Sequence, residues 1–175
     1  HHVVAIAPLP IDIPTAHPRI HDHLQKSQEE GLVNELPDYF FKNLMITEDY
    51  NALSDCELVI ECTLESLPIK KSVYEKIEAV ISTKAVITSN TSAIPISILQ
   101  KEVKHPERFL GLHWAEPSHT TRFLEVICGD LSDVSKGEWL YELSHSWGKE
   151  PTLVRKDIRG FITNRLMYAL YREAF

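Results

Sequence analysis

An α/β fold, with a doubly wound and mostly parallel sheet covered by helices, is what this sequence predicts. Three observations carry that expectation. Short apolar runs of strand length alternate with stretches of helical periodicity along the 175 residues. The run at 57–64 (ELVIECTL) is apolar nearly throughout, as a central parallel strand buried on both faces is. Polar residues follow several of the runs, and open sheets of this kind gather ligands beyond the carboxyl ends of their strands.

The elements follow in order. Residues 2–7 (HVVAIA) form a β-branched run of strand length. Residues 15–31 read as a helix, with Pro18 in the first turn and Gly31 near the end. Residues 43–47 (NLMIT) read as a short strand and 57–64 as a buried one. Ser66 stands where a helix cap is expected, Pro68 falls in the first turn, and the helix runs to about Ser82 with Ile69, Val73, Ile77 and Val80 inward. Further strands are expected at 85–88, 109–113, 123–128 and 152–154. Residues 133–147 form an amphipathic helix closed by Gly148, and 160–175 form the last helix.

Composition excludes several classes. The chain is 43% hydrophobic and 25% charged, an ordinary globular balance. Its net charge of −7 argues against a nucleic-acid groove, which needs clustered Lys and Arg. No apolar run approaches the ~20 residues needed to cross a bilayer, and no signal peptide is visible, so no membrane partner is expected. Cys56, Cys62 and Cys128 are too few and too scattered for a disulfide framework, which fits a reducing, cytoplasmic setting. Cys62, inside an apolar run, reads as a buried thiol.

Four strand ends carry candidate chemistry: Glu65; Ser89 to Ser92 (SNTS); His113 to Glu116; and Glu125. A histidine ending the strand FLGLH is a natural proton acceptor, although a lone histidine more often plays a structural part. Glu125 lies twelve residues on, in the apolar strand FLEVI, where a carboxylate is costly unless paired. If the two strands are neighbours, Glu125 orients the imidazole and stabilises its charged form; alternation also allows Glu125 a solvent face. SNTS suits hydrogen bonding to a small ligand, or a helix cap leading into 94–99. Glu65 and Lys70, five apart, fall on different helical faces, so no internal ion pair is implied and both read as solvated charges. His17, His21 and His23 resemble a metal cluster, but no matching ligands follow at a recognisable spacing, and no metal is expected.

Five stretches, taken together, resemble the NAD-binding domain of the 3-hydroxyacyl-CoA dehydrogenases: 55–71 (DCELVIECTLESLPIKK), 87–96 (ITSNTSAIPI), 105–117 (HPERFLGLHWAEP), 122–130 (RFLEVICGD) and 148–165 (GKEPTLVRKDIRGFITNR). They cover roughly two thirds of the chain in family order. The resemblance implies a Rossmann-like dinucleotide-binding domain over residues 1–159, with 160–175 starting a helix toward a C-terminal helical domain. It implies NAD as cofactor and an acyl-CoA substrate in fatty acid metabolism. His113 falls on the family's catalytic histidine, Glu125 on its glutamate partner, Ser92 on the serine contacting substrate and nicotinamide, and Asn164 on the substrate asparagine. Glu65 and Lys70 fall on the cofactor-contacting pair. His113 would take the 3-hydroxyl proton while hydride passes to the cofactor, help worth ~10²–10⁴ in rate. The full-length parent is expected to be a homo-oligomer.

Departures from the family pattern are expectations too. There is no G-x-G among the six glycines, and 1–7 resembles the family's second strand, so roughly 20–30 residues of one β–α unit are expected to be missing from the start. Without the phosphate loop and the helical domain, the segment alone is expected to turn over poorly. The ribose-binding acidic residue falls on Ala7, with Asp12 nearby but displaced; no Arg lies near to signal NADP. Glu116 replaces an asparagine three residues after the histidine, which favours an oxidised ring or marks a different substrate, and Arg159 replaces a proline. Two alternatives follow: a sugar-acid dehydrogenase of the gulonate type, and a non-catalytic binding module on a degraded dinucleotide fold.

Overall fold

The computed structural model describes residues 1–7, 9 and 11–175, and it divides into two compact units, His1–Asp55 and Cys56–Phe175. In the first unit, β1 (Val3–Ile6) and β2 (Leu44–Thr47) pair in parallel, Val3 opposite Leu44 and Ile6 opposite Thr47. The chain between them holds α1 (Asp12–Glu29) and α2 (Pro37–Phe41). α1 begins earlier than its periodicity predicts, because the Thr15 hydroxyl donates to the Ile11 carbonyl and the Asp12 carboxylate accepts from the Leu9 N–H. Pro18 therefore sits in the second turn, where its missing N–H forfeits one helical bond. His17 stacks on Phe41 with ring centroids 4.0 Å apart, and His21 lies beyond at 6.3 Å. These rings pack, and no group of three metal-ligating side chains occurs among the described residues.

The second unit holds a five-stranded sheet in the order β3 (Leu58–Glu61), β4 (Val86–Ser89), β5 (Phe109–Trp114), β6 (Phe123–Cys128), β7 (Glu150–Val154). Every neighbouring pair is parallel except β5 and β6, which form an antiparallel hairpin. This is the mostly parallel α/β sheet that the alternation predicts, in the Rossmann-like form that the resemblance implies. α3 (Leu67–Glu78) connects β3 to β4, α4 (Ile96–Leu99) follows β4, and α5 (Val134–His145) connects β6 to β7. α6 (Thr163–Ala174) comes last.

Alternation on β5 and β6 divides the hairpin into two faces. Leu112, Leu124 and Val126 point one way and pack with Leu140 of α5, flanked by Trp114, Leu143, Trp147 and Leu153. Gly111, His113, Glu125 and Ile127 belong to the other face. Gly111 is needed there: an added Cβ would lie 2.7 Å from Ile96 Cδ1 and 2.9 Å from Ile127 Cδ1. α4 thus approaches β5 more closely than a side chain at 111 would allow.

Several boundaries differ from expectation for local reasons. The apolar run at 57–64 yields only four strand residues, because the Thr63 N–H and hydroxyl bend back onto the Glu61 carboxylate at 2.5 and 2.6 Å. Cys62 is therefore exposed, not buried as the run suggested; Cys128 is the buried thiol, against Gly137. Ser66 occupies the cap position of α3, but its side chain makes no capping bond. Asp133 caps α5, accepting from the Ser135 N–H at 2.9 Å. α6 starts three residues later than expected, since Gly160 and Phe161 are left-handed, with φ of 81° and 48°. No helix among the described residues is long and apolar enough to cross a membrane.

Candidate active site

His113 and Glu125 are direct partners in the antiparallel register of β5 and β6. Residues facing each other across such a pair project to the same side, so the twelve-residue spacing returns the carboxylate to the histidine. His113 Nδ1 lies 2.7 Å from Glu125 Oε2. An ionised carboxylate only accepts hydrogen bonds, so Nδ1 carries a proton here, and in the neutral imidazole the lone pair is on Nε2. Glu125 is fully buried and His113 is 9% exposed, so the contact is shielded from water and salt.

The second oxygen of Glu125 is also engaged. Oε1 accepts from the Ile162 N–H at 2.7 Å and the Thr163 N–H at 3.1 Å, the opening N–H groups of α6. A helix N-terminus carries unpaired donors and partial positive charge, and a carboxylate satisfies both. Burial pushes the Glu125 carboxyl up, but the His113 contact and the two N–H donors outweigh it and hold it below the ordinary carboxylate range. The Phe161 ring, 3% exposed, packs 5.6 Å from the imidazole. Its left-handed backbone is uncommon for a bulky side chain and is held by this packing.

The SNTS turn reaches the same place. The Asn90 side chain accepts from the Trp114 N–H at 3.0 Å, tying the turn to the end of β5. The Asn164 side chain donates to the Ser92 carbonyl at 2.8 Å, tying it to α6. Glu65 organises the turn: one carboxylate oxygen accepts from the N–H groups of Ser92 (3.2 Å), Ala93 (3.0 Å) and Ile94 (3.3 Å), and from the Thr91 hydroxyl. Burial raises the Glu65 carboxyl, and the Thr91 hydroxyl, these amides and Lys70 together bring it below its ordinary value.

Lys70 is 1% exposed, not the solvated charge that its spacing from Glu65 suggested. Glu65 precedes the α3 cap, so helical spacing does not govern the pair; Lys70 Nζ reaches Glu65 at 3.5 Å and Glu61 at 2.9 Å. Glu61, inside the family-like stretch 55–71, is the buried counter-charge of Lys70, a part to which the sequence assigns no residue. It accepts from Lys70, from the Tyr74 hydroxyl at 3.0 Å and from the Ser89 hydroxyl at 2.7 Å. Burial pushes Glu61 up, but Thr63, Ser89 and Lys70 outweigh it and hold it low; burial and the Glu61 charge push the Tyr74 phenol up. The available signal is the one that marks Glu125, a carboxylate inside an apolar run.

An ion pair joins Lys70 to Glu65, and hydrogen bonds run on from Glu65 through the SNTS turn to Asn164 and, by Asn90, to the strand bearing His113. All of these lie at the carboxyl ends of β3, β4 and β5, where a fold of this class binds ligands. Glu65 keeps 39% of its side chain exposed while Lys70 stands behind it, so Glu65 is the member of that pair that faces outward. A polar rim of this kind beside an oriented imidazole suits a small polar ligand and proton exchange with it.

Comparison with known proteins points the same way. The profile of the 3-hydroxyacyl-CoA dehydrogenase NAD binding domain matches residues 1–158. A 5-formyl-3-hydroxy-2-methylpyridine 4-carboxylate 5-dehydrogenase of Mesorhizobium japonicum is 39% identical over 140 residues, 79% of this chain and 45% of that protein. The 3-hydroxyadipyl-CoA dehydrogenase of Escherichia coli K12 is 35% identical over 157 residues, 89% of this chain and 33% of the relative. The chain therefore spans less than half the length of these two relatives. A solved 3-hydroxybutyryl-CoA dehydrogenase of Escherichia coli K12 superposes with a TM-score of 0.91 at 32% identity, over 99% of this chain and 37% of the other. The solved pyridine-carboxylate dehydrogenase, described as an NAD+ dependent dismutase, gives 0.83 at 34% identity over 98% and 55%.

Proposed function

The chain belongs to the 3-hydroxyacyl-CoA dehydrogenase family through its NAD-binding domain, and from that premise we propose that it is the cofactor-binding and acid–base part of an enzyme oxidising the 3-hydroxyl of an acyl-CoA. NAD is the cofactor of the family, and when bound it supplies the hydride acceptor. His113 Nε2 takes the hydroxyl proton. Glu125 fixes the ring in the tautomer that leaves Nε2 free and stabilises the imidazolium that forms. In the reverse direction the imidazolium returns the proton to the forming alkoxide. Ser92 and Asn164 orient the substrate oxygen, and Glu65, backed by Lys70, borders the cofactor. The region over 1–159 acts as the dinucleotide-binding domain, and α6 begins the connection to a substrate-covering domain.

One observation carries this reading: the 2.7 Å buried contact between His113 and Glu125, whose second oxygen is locked by α6. A module that only binds has no need of an oriented imidazole with a free nitrogen. Oxidation of a pyridine carboxylate is a second reading, favoured by the 39% identity to the Mesorhizobium enzyme. Steady-state NADH formation by the full-length protein separates the two. Turnover of 3-hydroxybutyryl-CoA with competitive inhibition by free CoA is expected. Turnover of the pyridine carboxylate alone, indifferent to CoA, would move the substrate to the second reading.

A further inference from the structure

Lys149 is 7% exposed and faces no carboxylate within ion-pair distance among the described residues. A buried ammonium without an anion is costly, so its contacts must replace water well. Its Nζ donates to the Ser118 carbonyl at 2.5 Å and to the Thr121 carbonyl at 2.7 Å, and it sits 5.2 Å from the centroid of the Trp114 ring. Three directions are thus filled by two carbonyl oxygens and an aromatic face, a favourable place for a cation.

Those partners have one thing in common. Trp114 follows His113 on β5, and Ser118 and Thr121 lie in the loop that joins β5 to β6, whose two strands carry His113 and Glu125. The loop has little structure of its own: the Thr120 and Thr121 N–H groups turn back to the Pro117 carbonyl, at 3.3 and 3.0 Å. Lys149 comes from outside the hairpin. It follows Gly148, whose φ of 72° closes the turn after α5, and it precedes β7, where the Glu150 N–H bonds the Arg122 carbonyl. The backbone around Lys149 is therefore fixed to β6, and its side chain closes over the loop.

We propose that Lys149 is a positioning residue that clamps residues 115–121 beside the catalytic histidine, so that Glu116, exposed on this loop three residues past His113, is presented to substrate in one arrangement. The clamp itself stands on geometry alone, while its effect on substrate rests on the dehydrogenase reading above. His113 and Glu125 are held by sheet register and by α6, so loosening the loop should spare the proton transfer and weaken substrate binding.

Lys149→Met, which keeps the length of the side chain and removes its charge and donors, tests this in the full-length protein. Amide hydrogen exchange should quicken at residues 118–121 while β3 and α3 stay protected. KM for the hydroxy substrate should rise roughly tenfold with kcat within about twofold of wild type. Lys149→Arg, which keeps the cation in a bulkier planar head, should fall between the two, and it replaces the Met variant if that protein does not fold. Unchanged exchange at 118–121 overturns the clamp. Faster exchange with unchanged KM, or a fall in kcat alone, overturns its role in positioning. A wild-type protein without dehydrogenase activity would sink the functional reading instead, and exchange at 118–121 would still decide the clamp.

Discussion

At the residue scale, Glu125 performs two tasks with its two oxygens, and substitutions separate them. Oε2 holds the His113 ring and Oε1 holds the first N–H groups of α6. Glu125→Gln keeps the size but loses the charge, so it should lower kcat by about 10²–10⁴ and also destabilise the fold, since a buried hydrogen bond to a charged group contributes about 1.5–3 kcal/mol. Phe161→Ala should behave differently. Removing the ring that packs on the imidazole costs about 3–5 kcal/mol of core packing, read in urea titration, and leaves the His113–Glu125 contact in place. The pair was legible in the sequence because a carboxylate inside FLEVI must find a partner. Glu61 sends the same signal inside LVIE, yet its partners Lys70, Tyr74 and Ser89 come from α3 and β4, and no local spacing predicts that convergence. Lys70 misleads for a related reason, since Glu65 lies before the helix and helical geometry does not relate the two.

At the element scale, strand alternation and register do most of the assembly. A one-residue slip between β5 and β6 would turn His113 and Glu125 to opposite faces, so the turn and the apolar pattern together specify the site. Gly111 serves the same hairpin by admitting Ile96 of α4. Gly111→Ala forces Ile96 and Ile127 to move and should cost about 1–3 kcal/mol in chemical denaturation, with little change in KM. The strands and the long helices were legible from periodicity. Their ends were not, because each is set by a side chain returning to the backbone: Glu61 onto Thr63, Thr15 onto Ile11, Glu125 onto Ile162. α2, at five residues, is too short to show a period.

For the whole molecule, buried charges set the response to acid. Glu61 and Glu125 both have carboxyls held below the ordinary range in the folded state. Groups depressed by folding add stability above their unfolded value, about 4.3, and lose it as pH falls through the folded value. The urea midpoint should therefore hold steady down to about pH 5 and drop below about pH 4.3. Glu61→Gln leaves Lys70 buried without its nearest counter-charge. It should be about 3–5 kcal/mol less stable than wild type at pH 7, and the gap should narrow in acid as wild-type Glu61 becomes protonated. Converging midpoints would support the assignment, and a constant gap would count against it.

The account rests most heavily on His113 as the acid–base group. Steady-state NADH formation from 3-hydroxybutyryl-CoA by the full-length protein, wild type against His113→Gln, tests it directly. The account predicts a fall in kcat of about 10²–10⁴ in a protein that still folds, its stability lowered by about 1.5–3 kcal/mol through the loss of the Glu125 contact. A His113→Gln enzyme that turns over within about twofold of wild type would contradict it.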